Sequence, residues 1–227
     1  MISKARIKLI RSLEHKKFRG KEGLFVAEGA KTVVEMKKAF RCVEIIDDEE
    51  DVRKVSFLQH PQGIVGVFEL PDCSCEATTV VPNTLSLALD KVQDPGNLGT
   101  IIRIADWFGI DTIYCSHDTA DCWSPKVVQA TMGSLARVKV VYTDLAQLID
   151  NCDCPIYGTF LDGTNIYNQS LTQNGIIVMG NEGNGISDEI RAKITNRLLI
   201  PSTREGAESL NVAVATAITL SEFRRRG

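Results

Sequence analysis

The 227-residue sequence has no long hydrophobic run, and no stretch reaches the roughly 18 apolar residues that a membrane-spanning helix needs. Its first segment, MISKARIKLIRSLEHKKFRG, is charged throughout and lacks the apolar centre of a secretory signal. Hydrophobic residues make up 44% of the sequence and charged residues 24%, the ordinary composition of a globular protein. We therefore expect a cytoplasmic protein with no membrane partner.

Several nucleotide-binding and catalytic motifs are also absent. There is no G-x-x-x-x-G-K-[ST] loop, which excludes P-loop nucleotide hydrolysis, and no G-x-S-x-G nucleophile elbow. The glycines of GNEGNG (180–185) do not have the spacing of a dinucleotide-binding fingerprint, which disfavours a nicotinamide-dependent oxidoreductase. The three histidines, His15, His60 and His117, have no metal-ligand spacing.

The cysteines do not indicate a disulfide framework, because there are seven, an odd number, in a chain that is not short. The pairs Cys73/Cys75 and Cys152/Cys154 could in principle ligate a metal. Structural zinc sites, however, favour Cys-x-x-Cys spacing and a matching second pair. The sequence therefore predicts seven free thiols and no metal site.

Charge is distributed unevenly along the chain. Residues 1–41 contain twelve Lys or Arg and four Asp or Glu, a local charge of +8. Residues 42–227 contain 14 basic and 25 acidic residues, a local charge of −11. A basic end on an acidic chain suggests a polyanionic partner. A solvated helix face would explain the same cations without a partner, and charge alone does not decide between the two.

Alternating helix and strand patterns divide the chain into two regions. Residues 1–72 alternate between the two, which favours a small α/β/α sandwich domain. The stretch from Pro71 to Asn83 has two prolines and no long periodicity, so residues 73–83 are predicted to be a linker. Residues 84–227 alternate again and predict an α/β domain with a mostly parallel sheet.

Three loops rich in Gly, Asn, Glu and Ser follow predicted strands of the second region, where parallel sheets bind their ligands. With their flanking segments they read LDKVQDPGNLGTIIRIADWFG (89–109), IIVMGNEGNGIS (176–187) and IPSTREGAESLNVAVATAI (200–218). Together, in this order, they resemble the three motifs of the SpoU/TrmH family of RNA ribose 2′-O-methyltransferases, within the SPOUT superfamily. Residues 1–70 are similar to the RNA substrate-binding domain that many members acting on ribosomal RNA carry.

The resemblance implies a fold, a cofactor and partners. The second domain should be a SPOUT domain with a deep trefoil knot, and the protein should be a homodimer whose interface is built partly from the closing helix and the motif loops. The cofactor should be S-adenosyl-L-methionine, and the substrate RNA, with ribosomal RNA favoured. By motif position, backbone at Gly180, Ile200 and Leu210 should contact the cofactor.

Motif position also implies five residues for methyl transfer: Asn97, Arg103, Glu182, Ser209 and Asn211. Because an arginine side chain stays protonated at ordinary pH, we expect Arg103 to bind the target phosphate and stabilise the developing alkoxide, not to remove the proton. Glu182 and Asn211 should orient Arg103 or the motif loops. Asn97 and Ser209 should position the hydroxyl or shape the pocket.

Each of these residues also has a purely structural explanation. Asn97 could cap a helix beginning at Leu98, and Ser209 could cap the last helix. Arg103 could be a surface residue and Glu182 a turn residue. Their joint occurrence in three matched motifs favours function. Three other classes stay open: a transfer RNA 2′-O-methyltransferase, an RNA base methyltransferase of a sister SPOUT family, and a non-catalytic RNA-binding protein that retains the fold.

Overall fold

The computed structural model describes residues 1–71, 80, 83–204 and 209–225. The chain divides into two compact units, the first formed by Met1–Cys73 and Asp121–Arg137 and the second by Ser74–Ala120 and Val138–Gly227. Most of the predicted linker lies outside the described residues, and the predicted division into residues 1–72 and 84–227 stays a prediction.

The helices and strands of the described residues confirm the α/β class. In chain order they are α1 (Lys4–Ser12), α2 (Lys16–Glu22), β1 (Leu24–Glu28), α3 (Ala30–Ala39), β2 (Cys42–Ile46), α4 (Glu49–Val55), β3 (Val65–Glu69), β4 (Leu85–Leu89), α5 (Pro95–Trp107), β5 (Thr112–Cys115), α6 (Pro125–Thr131), β6 (Lys139–Tyr142), α7 (Leu145–Asp150), β7 (Ile156–Asn165), β8 (Gly175–Met179), α8 (Asp188–Arg191), β9 (Asn196–Leu199) and α9 (Val212–Arg225).

The first unit is built on an antiparallel sheet with the strand order β1-β3-β2. Its hydrophobic core joins Ile10 and Leu13, from α1 and its end, to Val26, Val65 and Val67 of the sheet. Full burial of one such aliphatic side chain stabilises a fold by about 1.5–3 kcal/mol. The helices and strands within residues 1–71 therefore share one hydrophobic core.

Residues 121–137, which include α6, belong to the first unit although they come between β5 and β6 in the sequence. The buried Arg19 donates a hydrogen bond to the carboxylate of Asp121, 102 residues away in sequence. The Trp123 ring lies 4.8 Å from the Phe25 ring, measured between centroids. Local periodicity identifies α6 as a helix but contains no information about this long-range partner.

The second unit is built on a six-stranded sheet with the order β6-β5-β4-β8-β7-β9, in which every neighbouring pair is parallel. This confirms the predicted parallel sheet. The central strands β4 and β8 are buried along their whole length, and α5 packs against α9. Of the helices in the described ranges, none combines the length and the apolar character needed to cross a bilayer. The trefoil knot stays a prediction.

The prediction of seven free thiols is wrong for one cysteine pair. Cys152 and Cys154, which lie between α7 and β7, form a disulfide. The single residue between them lets the turn bring their Cα atoms to 5.6 Å, inside the ordinary range for a disulfide. The other close pair, Cys73 and Cys75, lies outside the described residues. Within the part of the chain that is described, no group of three or more His, Cys, Asp or Glu side chains is placed to hold a metal ion.

Cys115, at the end of β5, gives a prediction about the pH dependence of stability. Burial raises the pKa of the Cys115 thiol far above its ordinary value of 9.0. The unfolded chain can release this proton above about pH 9 and the folded chain cannot, so the raised pKa contributes stability that is lost as the pH rises. From about pH 8 to about pH 10, we expect the unfolding free energy of the wild type to fall about 1 kcal/mol further than that of Cys115→Ala. Urea unfolding measures this, with Cys42→Ala as the control, and equal slopes for wild type and Cys115→Ala would contradict it.

Candidate functional site

The three motif loops meet at one edge of the six-stranded sheet. They follow β4, β8 and β9, and because all these strands are parallel, their carboxyl ends lie at the same edge. β4 and β8 are direct neighbours, whereas β7 separates β8 from β9. The end of β7 therefore also faces this site, which the sequence motifs did not indicate.

A chain of side-chain hydrogen bonds joins the three motifs. The amide nitrogen of Asn97 donates to a carboxylate oxygen of Glu182 at 2.7 Å. The amide nitrogen of Asn211 donates in turn to the amide oxygen of Asn97 at 2.9 Å. One predicted residue from each motif is thus in direct contact with the next, so the conformation of any one loop depends on the other two.

The helix caps differ from the structural alternatives considered for Asn97 and Ser209. Asp94 caps α5, and its Oδ1 accepts a hydrogen bond from the backbone N–H of Asn97 at 2.8 Å. Asn97 therefore lies inside the first turn, with its side chain available to the site. At α9 the cap is Asn211, whose Oδ1 accepts from the N–H of Ala213 at 2.9 Å. Capping therefore accounts for the side-chain oxygen of Asn211 but not for its side-chain nitrogen. It accounts for neither polar atom of the Asn97 side chain.

Asn181, which the sequence analysis did not nominate, folds the motif-two loop. Its Oδ1 accepts hydrogen bonds from the N–H groups of Gly183 at 2.9 Å and Asn184 at 3.1 Å. Its Nδ2 donates to the carbonyl of Lys91 at 2.8 Å and so ties the loop to motif one. The tendency of Asn to bond backbone two and three residues ahead is the signal in GNEGNG that could have identified it.

Asp90 fixes the other end of the same loop. It follows β4, is buried at 2% exposure, and accepts a hydrogen bond from the backbone N–H of Ser187 at 2.7 Å. A buried carboxylate is stable only when it is paired or hydrogen-bonded. An acidic residue directly after the buried strand sequence LSLAL therefore indicates a hydrogen-bond partner. Together, the contacts of Lys91 and Asp90 join motif one to the motif-two loop near the start and near the end of that loop.

Gly180 lies where the motif-two loop folds back on its own beginning. A Cβ atom built at Gly180 would lie 2.3 Å from both the carbonyl carbon of Gly185 and the backbone nitrogen of Ile186. Backbone atoms cannot move aside as a flexible side chain can, so only glycine fits at this position. The loop and the surface it forms depend on this close approach.

The loops enclose a cavity of about 620 Å³, a size typical of small-molecule sites. Its walls combine apolar side chains with the 180–186 loop, and polar side chains line part of its rim. Five predicted residues line it: Gly180, Glu182, Ile200, Ser209 and Leu210. Apolar walls with backbone donors and acceptors suit an adenine ring, and the cavity therefore fits S-adenosylmethionine.

One rim of the cavity is a cluster that the sequence analysis missed. Phe160, Asp162 and Arg191 line the cavity, and the guanidinium carbons of Arg191 and Arg197 lie 4.8 Å and 4.5 Å from the centre of the Phe160 ring. Both arginines donate to Asp162, at 3.0 Å and 2.5 Å. The cluster holds β7 and β9 together beside the cavity.

Arg103 is the one predicted residue that neither lines the cavity nor takes part in the hydrogen-bond chain of Glu182, Asn97 and Asn211. It lies on α5, six residues after Asn97 and thus about 120° around the helix. Its side chain is exposed, does not line the cavity, and makes no hydrogen bond or ion pair with the described residues. Trp107, one turn further along the same face, is 84% exposed.

Comparison with known proteins agrees with this geometry. The SpoU rRNA Methylase family matches residues 84–221, and the MRM3-like substrate binding domain matches residues 4–47. The sequence is 31% identical to the 23S rRNA (guanosine(2553)-2'-O)-methyltransferase RlmP of Bacillus subtilis, over 96% of each chain.

Solved structures are similar over the whole chain. A putative RNA methyltransferase of the TrmH family from Porphyromonas gingivalis is 42% identical, with a TM-score of 0.90 and full coverage of both chains. An AdoMet-bound rRNA methyltransferase from Sinorhizobium meliloti is 28% identical, with a TM-score of 0.88 over 100% of this chain and 96% of that one. The matched range 84–221 includes all three loops at the sheet edge, and the chain belongs to the SpoU rRNA methylase family.

Proposed function

We propose that the protein transfers a methyl group from S-adenosylmethionine to a ribose 2′-hydroxyl of RNA, and that its substrate is ribosomal RNA. The observation that supports this most directly is the hydrogen-bond chain from Glu182 through Asn97 to Asn211 beside the cavity. Ribosomal RNA is favoured because the Bacillus subtilis relative, similar over 96% of both chains, is named for that substrate.

In this proposal, backbone at Gly180, Ile200 and Leu210 holds the cofactor, which supplies a methyl group on a positively charged sulfonium. The adjacent Ser209 shapes the wall of the cavity. The chain's own task is to fix the attacking hydroxyl in line with that methyl group, because orientation is a large part of the rate gain in such transfers. Asn97 is suited to this role since Glu182 and Asn211 fix its amide from both sides.

Arg103 would act on the RNA side of the reaction. Its exposed guanidinium has no partner among the described residues and carries several donors in a planar fork, the geometry that suits phosphate. A bound phosphate would bring the target ribose to the site, and the same positive charge would stabilise the alkoxide that develops as the hydroxyl loses its proton.

Labelled methyl transfer to bulk ribosomal and transfer RNA, followed by mapping of the modified nucleotide, tests the proposal. A methylated ribose in ribosomal RNA is the expected product. Label in transfer RNA would assign the other substrate class, and label on a base would assign the chemistry of a sister SPOUT family. Cofactor binding without transfer to either RNA would point to a non-catalytic RNA-binding protein.

We also propose that the protein is a cytoplasmic homodimer whose second domain has a trefoil knot. Two exposed apolar side chains on the packed helices α5 and α9, Trp107 at 84% and Val214 at 48%, support a contact surface there.

We expect Trp107→Glu to be monomeric at micromolar concentration, because a charge would be buried without a partner. Light scattering measures the mass. Val43→Glu, on β2 of the first unit, should remain dimeric, and a monomeric wild type would contradict the proposal.

A further inference from the structure

One face of α2 carries an arrangement that packing does not explain. At 100° per residue, Lys17, Gly20 and Lys21 lie within about 100° of each other, and Phe18 borders them. All four are exposed. Arg19 points to the opposite side, where it is buried and bonds the carbonyls of Leu13 and Glu14 as well as Asp121. We call Lys17, Phe18, Gly20 and Lys21 the α2 face.

Gly20 is unnecessary for the fold. A Cβ atom built there would meet no heavy atom within 4 Å, and its φ is not in the left-handed region. Gly23, by contrast, is needed for the fold, because the helix ends there in the left-handed conformation, with a φ of +65°. A glycine inside a helix is less stabilising than an alanine at the same position. The missing side chain at Gly20 therefore leaves open space on the outside of the protein at a cost in stability.

Phe18 is apolar but remains exposed. Its side chain is 38% exposed and its only ring neighbour within the described chain is His15, with centroids 6.3 Å apart. Four other aromatic rings of the unit form a separate packed group: Phe25, Phe40, Phe68 and Trp123. An exposed aromatic ring beside two lysines offers a flat surface on which another ring can stack.

We propose that the α2 face binds an unpaired base of the substrate RNA, stacked on Phe18, with the neighbouring phosphates against Lys17 and Lys21 and the strand passing close to Gly20. This inference rests on the proposed function and specifies where the RNA is held. The local charge of +8 in residues 1–41 complements a polyanion, and α2 lies inside the matched substrate-binding domain, residues 4–47.

The occupant is an unpaired base because an A-form RNA duplex stacks its bases on each other and hides their faces. Stacking of one base on an aromatic ring contributes to affinity and tolerates any base, because every base has a π face. Lys21 is compatible with this role, since its contact with Glu22 is 3.3 Å long and its side chain is 71% exposed. An exposed ion pair of that kind is worth little, so a phosphate can replace the carboxylate.

Two substitutions in the full-length protein separate this role from a structural one. Gly20→Ala should raise the melting temperature or leave it unchanged, because alanine favours the helix. It should nevertheless weaken binding of a single-stranded RNA oligonucleotide by about fivefold. Phe18→Leu keeps an apolar side chain and should weaken binding by about tenfold, whereas Phe18→Tyr should bind like the wild type. Fluorescence anisotropy measures affinity, and Val34→Ala is the control for loss of an exposed apolar side chain.

Methylation kinetics provide the second readout. For Gly20→Ala and Phe18→Leu, the KM for RNA should rise while kcat and the affinity for S-adenosylmethionine stay at wild-type values. The inference is overturned if both variants bind single-stranded RNA as tightly as an active wild type, or if a blunt duplex competes as well as the single strand. A wild type that neither binds nor methylates RNA would overturn the proposed function as well.

Discussion

Gly180→Ala is expected to weaken the binding of S-adenosylmethionine about 100-fold, with little change in secondary structure. The added methyl group would lie 2.3 Å from backbone atoms of Gly185 and Ile186, so the motif-two loop must open. Backbone shifts forced by overpacking cost about 1–3 kcal/mol. That displacement moves several of the residues that line the cavity at once. Isothermal titration with the cofactor measures the loss.

Gly183→Ala is the matched control, because it makes the same chemical change three residues further along the same loop. Its added Cβ would meet only the Asn181 side-chain oxygen, at an ordinary 3.5 Å. Gly183→Ala should therefore bind the cofactor within a few fold of the wild type. If Gly180→Ala bound the cofactor with wild-type affinity and had an unchanged melting temperature, the motif-two loop would not be part of the cofactor site.

Arg103→Ala is expected to lower kcat for RNA methylation by about two orders of magnitude, the scale on which a charged contact to the transition state contributes. Cofactor affinity should be nearly unchanged, because Arg103 does not line the cavity. Arg103→Lys should recover part of the activity, since it keeps the charge but loses the planar fork. Single-turnover transfer to ribosomal RNA measures the rate.

Arg53→Ala provides the control for Arg103→Ala. Arg53 is an exposed arginine of α4 that pairs with Glu49 on its own helix, and its loss should leave the rate at the wild-type value. If Arg103→Ala lost cofactor affinity in the same proportion as rate, the residue would belong to the cofactor site. If it kept the full rate, its place in the motif would be structural.

The fold class could be predicted from the sequence because the fold class depends on local patterns of apolar and polar residues. The short apolar segments LSLAL and GIIVM are typical of buried parallel strands, and both are central strands of the sheet. The strand order is not local. Nothing in the segment of β7 shows that it lies between β8 and β9, and this order is what brings Phe160 and Asp162 to the cavity. Those residues lie outside the sequence motifs and could not be nominated from them.

The candidate site was predictable where a residue's motif position determines its place. Asn97, Glu182 and Asn211 come from three separate segments and were expected to work together, and the structure joins them by hydrogen bonds. Their roles stay predictions. Asn97 was considered as the cap of α5, whereas the cap is Asp94; the order of Asp94 and Pro95, typical of an N-cap and a first helical residue, was the local signal that the sequence analysis did not use. The position of Arg103 about 120° around α5 from Asn97, outside the cavity, was not expected from its membership of the same motif.

The buried pairing of Arg19 with Asp121 has a consequence for how the protein is made. During translation, residues 1–73 of the first unit are synthesised before residues 121–137. The carboxylate of Asp121 therefore becomes available to Arg19 only about a hundred residues later. Until then a charged group that is 3% exposed in the finished protein lacks its counter-ion, so the unit can reach its final stability only after the chain has passed through β4, α5 and β5. Deletion of residues 1–72 would leave Asp121 and Trp123 without Arg19 and Phe25, the residues that contact them. A chimera that exchanges the N-terminal part of the first unit between relatives must therefore carry residues 121–137 with it.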